Sequence, residues 1–167
     1  MRDDNGHWLA IALAMIAWGS LSSCDTPISK YVATNKEETK IISVLMQYQD
    51  ARNNTDINKL MSLLHDEGVF TFQCGRMVPK ATLKKELPGF WKEIHAGNAA
   101  VFPLVHECIN GDYYTSGELN DPRIALDQDT ARATVLFTKG VCRVELYVSL
   151  IRDNDRWLIT RTEWGDS

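Results

Sequence analysis

From Ala131 to Trp164 the chain alternates apolar and polar residues with the period of two that a half-buried strand requires. Ala131, Ala133, Val135 and Phe137 alternate with Arg132, Thr134 and Thr138, and Leu136 is the break in the pattern. Lys139-Gly140 marks a turn. Val141 to Ile151 follows, rich in β-branched and aromatic residues, with Val144, Leu146, Val148 and Leu150 on one side and Arg143, Glu145, Tyr147 and Ser149 on the other. Asp153-Asn154-Asp155 is a second turn signal, since Asn and Asp tolerate positive φ. Arg156 to Trp164 is the third strand.

Loop length decides how these faces combine, because a slip of one residue inverts every side chain. A two-residue loop at Asn154-Asp155 sets Leu150 opposite Ile159, Val148 opposite Arg161 and Leu146 opposite Glu163. Trp157 joins that face, and Tyr147, Ser149, Thr160 and Thr162 take the other. A two-residue loop at Lys139-Gly140 sets Phe137 opposite Cys142, Val135 opposite Val144 and Ala133 opposite Leu146. Both hairpins then share one apolar face, on which Arg161 and Glu163 are the charged exceptions. An inward charge needs a partner, a cavity or water. The two residues are therefore either a solvated pair at the sheet margin or part of a ligand site.

Upstream the period changes to that of a helix. Ile41, Val44, Leu45, Tyr48 and Ala51 make one stripe over 37–52, ended by Asn53-Asn54. Thr55 is the expected cap of a second helix with the stripe Ile57, Leu60, Met61 and Leu64, and Gly68 fits just beyond its end. Val69 to Gln73 reads as a short strand with Phe70 and Phe72 on one face. Lys80 to Glu86 reads as helix, broken or kinked at Pro88-Gly89 before Phe90, Trp91 and Ile94. Ala100 to Ile109 is a strand candidate interrupted by Pro103. Asn110 to Pro122 reads as hairpin or loop with a turn at Asn120-Asp121-Pro122, and Arg123 to Leu126 as a short strand.

The amino terminus has a different pattern. Trp8 to Trp18 is an unbroken apolar run. It is shorter than the roughly 20 residues that span a bilayer and suits the core of a signal peptide. Leu21-Ser22-Ser23-Cys24 follows and resembles a bacterial lipobox, which implies diacylation of Cys24 and cleavage before it. Arg2 is offset by Asp3 and Asp4, so the leader lacks the usual positive start. Asp25 stands where enteric bacteria tend to hold a lipoprotein in the inner membrane. The expected organisation is a signal peptide over 1–23, a flexible polar tether over 24–36 and one domain over 37–167. The partner implied is a bacterial membrane, on its periplasmic or external side.

The chain has 167 residues and a formal net charge of −4 with both signs dispersed, so a nucleic-acid partner is not expected. Beyond Cys24 stand Cys74, Cys108 and Cys142, enough for one disulfide in an oxidising compartment. No spacing matches a metal site, and His106-Glu107-Cys108 is not one because adjacent strand residues point apart. No phosphate loop or cofactor motif is present, and no cofactor is expected.

Helices first and strands later argue for α+β, with helices packed on one sheet face. Ile42 to Arg52, Asp56 to Phe70, Asp127 to Phe137 and Arg156-Trp157-Leu158-Ile159 carry a resemblance to the nuclear transport factor 2-like superfamily, particularly its SnoaL-like branch. The resemblance covers about Glu37 to Trp164. It implies a curved antiparallel sheet wrapped around the helices as a cone with a pocket at its open end. Members include isomerases, dehydratases, hydrolases and non-catalytic binding domains, so fold does not settle function. Many dimerise through the outer sheet face, where Tyr147, Thr160 and Thr162 are expected.

Tyr48, His106, Arg161 and Glu163 are the candidate ligand-binding residues, and no catalytic residue is assigned. An enzyme of this kind could move a proton with Glu163 or His106 while Tyr48 and Arg161 hold an oxygen or carboxylate. Against that, Tyr48 also reads as a core tyrosine with its hydroxyl at the rim, and His106 as a surface or satisfied core histidine. The leading expectation is a membrane-anchored domain that binds a small molecule or a protein. A small-molecule isomerase, dehydratase or hydrolase is the alternative, and a structural partner in an envelope assembly is the third.

Overall fold

The computed structural model describes residues 25–72, 76–96, 116–139 and 142–165. The first stripe forms helix α1, Lys36–Asn53, capped by Asn35, whose Oδ1 accepts from Glu38 N at 2.9 Å. Ile41, Val44, Leu45, Tyr48 and Ala51 are all buried. Thr55 is not the next cap. It turns the chain with φ 52°, and Asp56 caps α2, Ile57–Leu63, by accepting from Lys59 N at 2.9 Å. Leu64 opens strand β1, Leu64–Phe72, so Gly68 lies inside a strand rather than beyond a helix. Strand β2, Arg76–Pro79, pairs antiparallel with β1.

Helix α3 runs from Lys80 to His95 with Pro88 inside it. The expected break does not separate two helices. Proline removes one backbone donor, but Leu83, Leu87, Phe90 and Trp91 lie buried on both sides of it and hold the segment to the core. Phe90 meets Phe72 edge-on at 5.3 Å.

The remaining strands are β3, Glu118–Asp127, β4, Thr130–Lys139, β5, Cys142–Asp153, and β6, Arg156–Trp164. The sheet order is β2-β1-β6-β5-β4-β3, with β1 parallel to β6 and the other pairs antiparallel. This is an α+β fold with a curved, mostly antiparallel sheet following the helices. The expected turn at Asn120-Asp121-Pro122 is instead an irregularity within β3. The register shifts between Asn120 and Arg123, and Asp121 has φ 46°. A bulge in an edge strand accommodates a proline that a central strand could not.

The first late hairpin pairs Phe137 with Val144, Val135 with Leu146 and Ala133 with Val148. Its register is offset by two from the expected one. An even offset keeps every side chain on its face, so the apolar face survives. The second hairpin begins as expected, with Leu150 opposite Ile159, and then changes. Ser149 faces Arg161, Val148 faces Thr162 and Leu146 faces Trp164. Thr160 is the extra residue of a β-bulge. Beyond it the faces of β6 invert: Thr162 is buried, while Arg161 and Glu163 turn outward.

The segment expected to be slack is docked. Pro27 bridges to Asn120, Ile28 is buried, and Ile28–Lys30 forms a single 3-10 turn. The strand candidate at 100–109, most of the loop candidate at 110–122, Cys24, Cys74, His106 and Cys108 lie outside the described residues.

Candidate functional site

The register brings the start of β3, the end of β4, the start of β5 and the end of β6 to one end of the sheet. Helix α1 finishes at the same end. Gln49 Oε1 accepts from Leu119 N at 2.5 Å, and Asn53 bonds both backbone groups of Gly117, accepting from its N at 2.9 Å and donating to its O at 3.1 Å. These bonds fix the last turn of α1 against the mouth of β3. A Cβ on Gly117 would stand 2.1 Å from the Phe137 ring, so glycine is required for this close approach.

Arg52 lies at the centre of this end and is only 2% exposed. Its guanidinium carbon is 5.1 Å from the Phe137 ring centroid, 5.3 Å from that of Trp164 and 5.4 Å from that of Tyr48. Phe137 and Trp164 pack edge-on to each other at 5.5 Å. Three aromatic faces thus surround one cation, an arrangement strengthened by desolvation. Tyr48 is buried, and burial pushes its pKa up against the opposing charge of Arg52 and hydrogen bonds with Thr162 and Arg52. At neutral pH its hydroxyl is therefore a hydrogen-bonding group and not a base.

Of the residues singled out in the sequence, Tyr48 is in this cluster. His106 lies outside the described residues. Arg161 and Glu163 are not inward residues. Arg161 Nε donates to Glu163 Oε2 at 3.1 Å, and both side chains are about half exposed on the outer face. Tyr147 is exposed on that face and donates its hydroxyl to Glu145 at 2.6 Å, which is the leading reason the Glu145 carboxyl is held below its usual range. Thr162, expected beside Tyr147, is buried instead.

Arg52, Thr162 and Trp164 were not legible as interior residues. Arg52 carried a signal: it stands four residues after Tyr48 and so shares its helix face. A cation in the last turn of a helix is ordinarily solvated, so the spacing alone does not place it inside. Thr162 and Trp164 carried none, because their orientation depends on the bulge at Thr160.

The fold is that of the nuclear transport factor 2-like proteins. A solved protein of this type from Cytophaga hutchinsonii is similar with a TM-score of 0.52 at 17% identity, covering 80% of this chain and 99% of that one. One of unknown function from Pseudomonas putida KT2440 gives 0.55 at 16% identity, covering 78% and 87%. One of unknown function from Shewanella baltica OS155 gives 0.53 at 13% identity, covering 82% and 100%. Identities this low carry the fold and no activity. No protein-family model matches the sequence, and no curated protein matches it.

Proposed function

We propose that the chain is a lipid-anchored, extracytoplasmic domain of the SnoaL-like kind that binds a small molecule at the end of the sheet where Arg52 lies. The observation that carries the binding reading is the Arg52 guanidinium, buried against the faces of Tyr48, Phe137 and Trp164. A buried cation among aromatic rings suits a ligand with an anionic or planar group, because both charge and stacking act strongly away from water. Tyr48, hydrogen-bonded with Thr162 and Arg52, holds the guanidinium in place. The anchoring reading rests on Leu21-Ser22-Ser23-Cys24 behind the apolar run.

Native mass spectrometry of the mature domain tests binding. A co-purified small molecule is expected, with occupancy reduced in Arg52→Gln. An emptied domain that binds nothing in a broad metabolite screen removes this reading. Cys24→Ala is expected to release the chain from membranes, and unchanged retention rules out the lipobox assignment.

A further inference from the structure

The residues just after Cys24 are clamped to the sheet rather than left as slack. Arg143 Nη2 on β5 donates to Asp25 Oδ1 at 2.5 Å, and the Asp25 side chain is 18% exposed. Thr26 N donates to Asp121 Oδ1 at 2.8 Å, and Asp121 N returns a bond to Thr26 O at 2.9 Å. Pro27 bridges to Asn120, and Ile28 is 2% exposed in the core. Glu38 accepts from Thr34 N at 2.7 Å and from its hydroxyl at 2.9 Å, so the segment is held at its far end as well.

Successive Cα atoms are about 3.8 Å apart. Cys24 therefore stands one residue from a side chain fixed on Arg143. A lipid on Cys24 leaves no stalk between the bilayer and the outer face of β3–β5. We propose that this face, from Asp25 to Val32 and around Arg143, is a membrane-contacting surface that holds the anchored domain flush on the bilayer in one orientation. The inference rests on the lipobox reading.

The surface has the composition this requires. A groove of about 590 Å³ runs between the clamped segment and the sheet, lined by Tyr31, Val32, Arg123, Leu136 and Glu145 among others. Val32 is 84% exposed beside it, and Tyr147 is 42% exposed on the same face. An aliphatic residue and an amphipathic ring suit the headgroup boundary. Arg143 is matched by Asp25 and Arg123 by Glu145, and the remaining charged residues that line the groove, Lys30 and Asp121, are of opposite sign. The paired charges leave little net field, so contact depends on the anchor and apolar side chains more than on anionic lipid.

The test uses the full acylated chain in bilayer discs of phosphatidylethanolamine with a headgroup spin-labelled lipid. Methyl NMR compares Val32 with Val69, which is 38% exposed on β1, far across the sheet order. The expected result is several-fold stronger broadening at Val32, little changed by added phosphatidylglycerol and reduced toward that of Val69 in Arg143→Ala. Equal broadening in the acylated parent chain means a freely tumbling domain and overturns the inference. So does a second copy of the chain covering Val32 without lipid broadening. A chain whose mass shows no acyl groups overturns both the inference and the lipobox reading, which separates the two failures.

Discussion

A Cβ built on Gly68 stands 2.9 Å from the Thr160 carbonyl oxygen and 2.4 Å from the tip of the Phe70 ring. The glycine of β1 thus lies against the bulge of β6, where the parallel pairing of these strands also shifts register. A side chain there must push either a backbone carbonyl or a buried phenylalanine. Gly68→Ala is expected to lower stability by roughly 1–3 kcal/mol. Urea unfolding followed by tryptophan fluorescence measures it, and an unchanged midpoint contradicts the close approach.

Arg161 and Glu163 pair with each other outside, while Arg52 is buried inside. Their substitutions should therefore differ in kind. Arg161→Ala and Glu163→Ala are each expected to change stability by less than about 0.5 kcal/mol and to leave ligand occupancy intact. Arg52→Ala empties a volume shared by three rings and is expected to cost about 2–4 kcal/mol and reduce occupancy. Denaturation and native mass spectrometry on the three variants decide it. Loss of ligand from Glu163→Ala alone would return that residue to the site.

Acid should weaken the end of the fold opposite Arg52. Glu37 accepts from Trp157 Nε1 at 2.8 Å and pairs with Lys40 at 3.1 Å, and these bonds hold its carboxyl below the usual range. Lys40 also donates to Asp155 at 2.7 Å, which lowers the Asp155 carboxyl in the same way. A depressed folded-state pKa contributes stability above the unfolded value and loses it as pH falls through the folded value. The urea midpoint is expected to drop between about pH 5 and pH 2. Trp157→Phe keeps much of the ring and removes the donor, so its acid decline should be shallower when compared over the same range. An identical decline would show that Glu37 does not contribute.

The sequence by itself determined what is local. The three-and-four spacing of Ile41 to Ala51 gave α1 its buried face, and the alternation after Ala131 gave three strands their extents, because these periods follow from backbone geometry within one element. Parity also preserved the apolar face of the β4–β5 hairpin although its register was offset by two. Tertiary structure decided what depends on one added residue or on a distant partner. Thr160 inverted the end of β6, sending Arg161 and Glu163 out and bringing Thr162 and Trp164 in. Packing around Leu87, Phe90 and Trp91 carried α3 through Pro88. Arg52, a charged residue at a helix end, became interior only because β4 and β6 brought Phe137 and Trp164 over it. Asp25 became a clamp only because β5 presented Arg143. The energy that places these residues comes from contacts across the fold, and no window of neighbouring residues contains them.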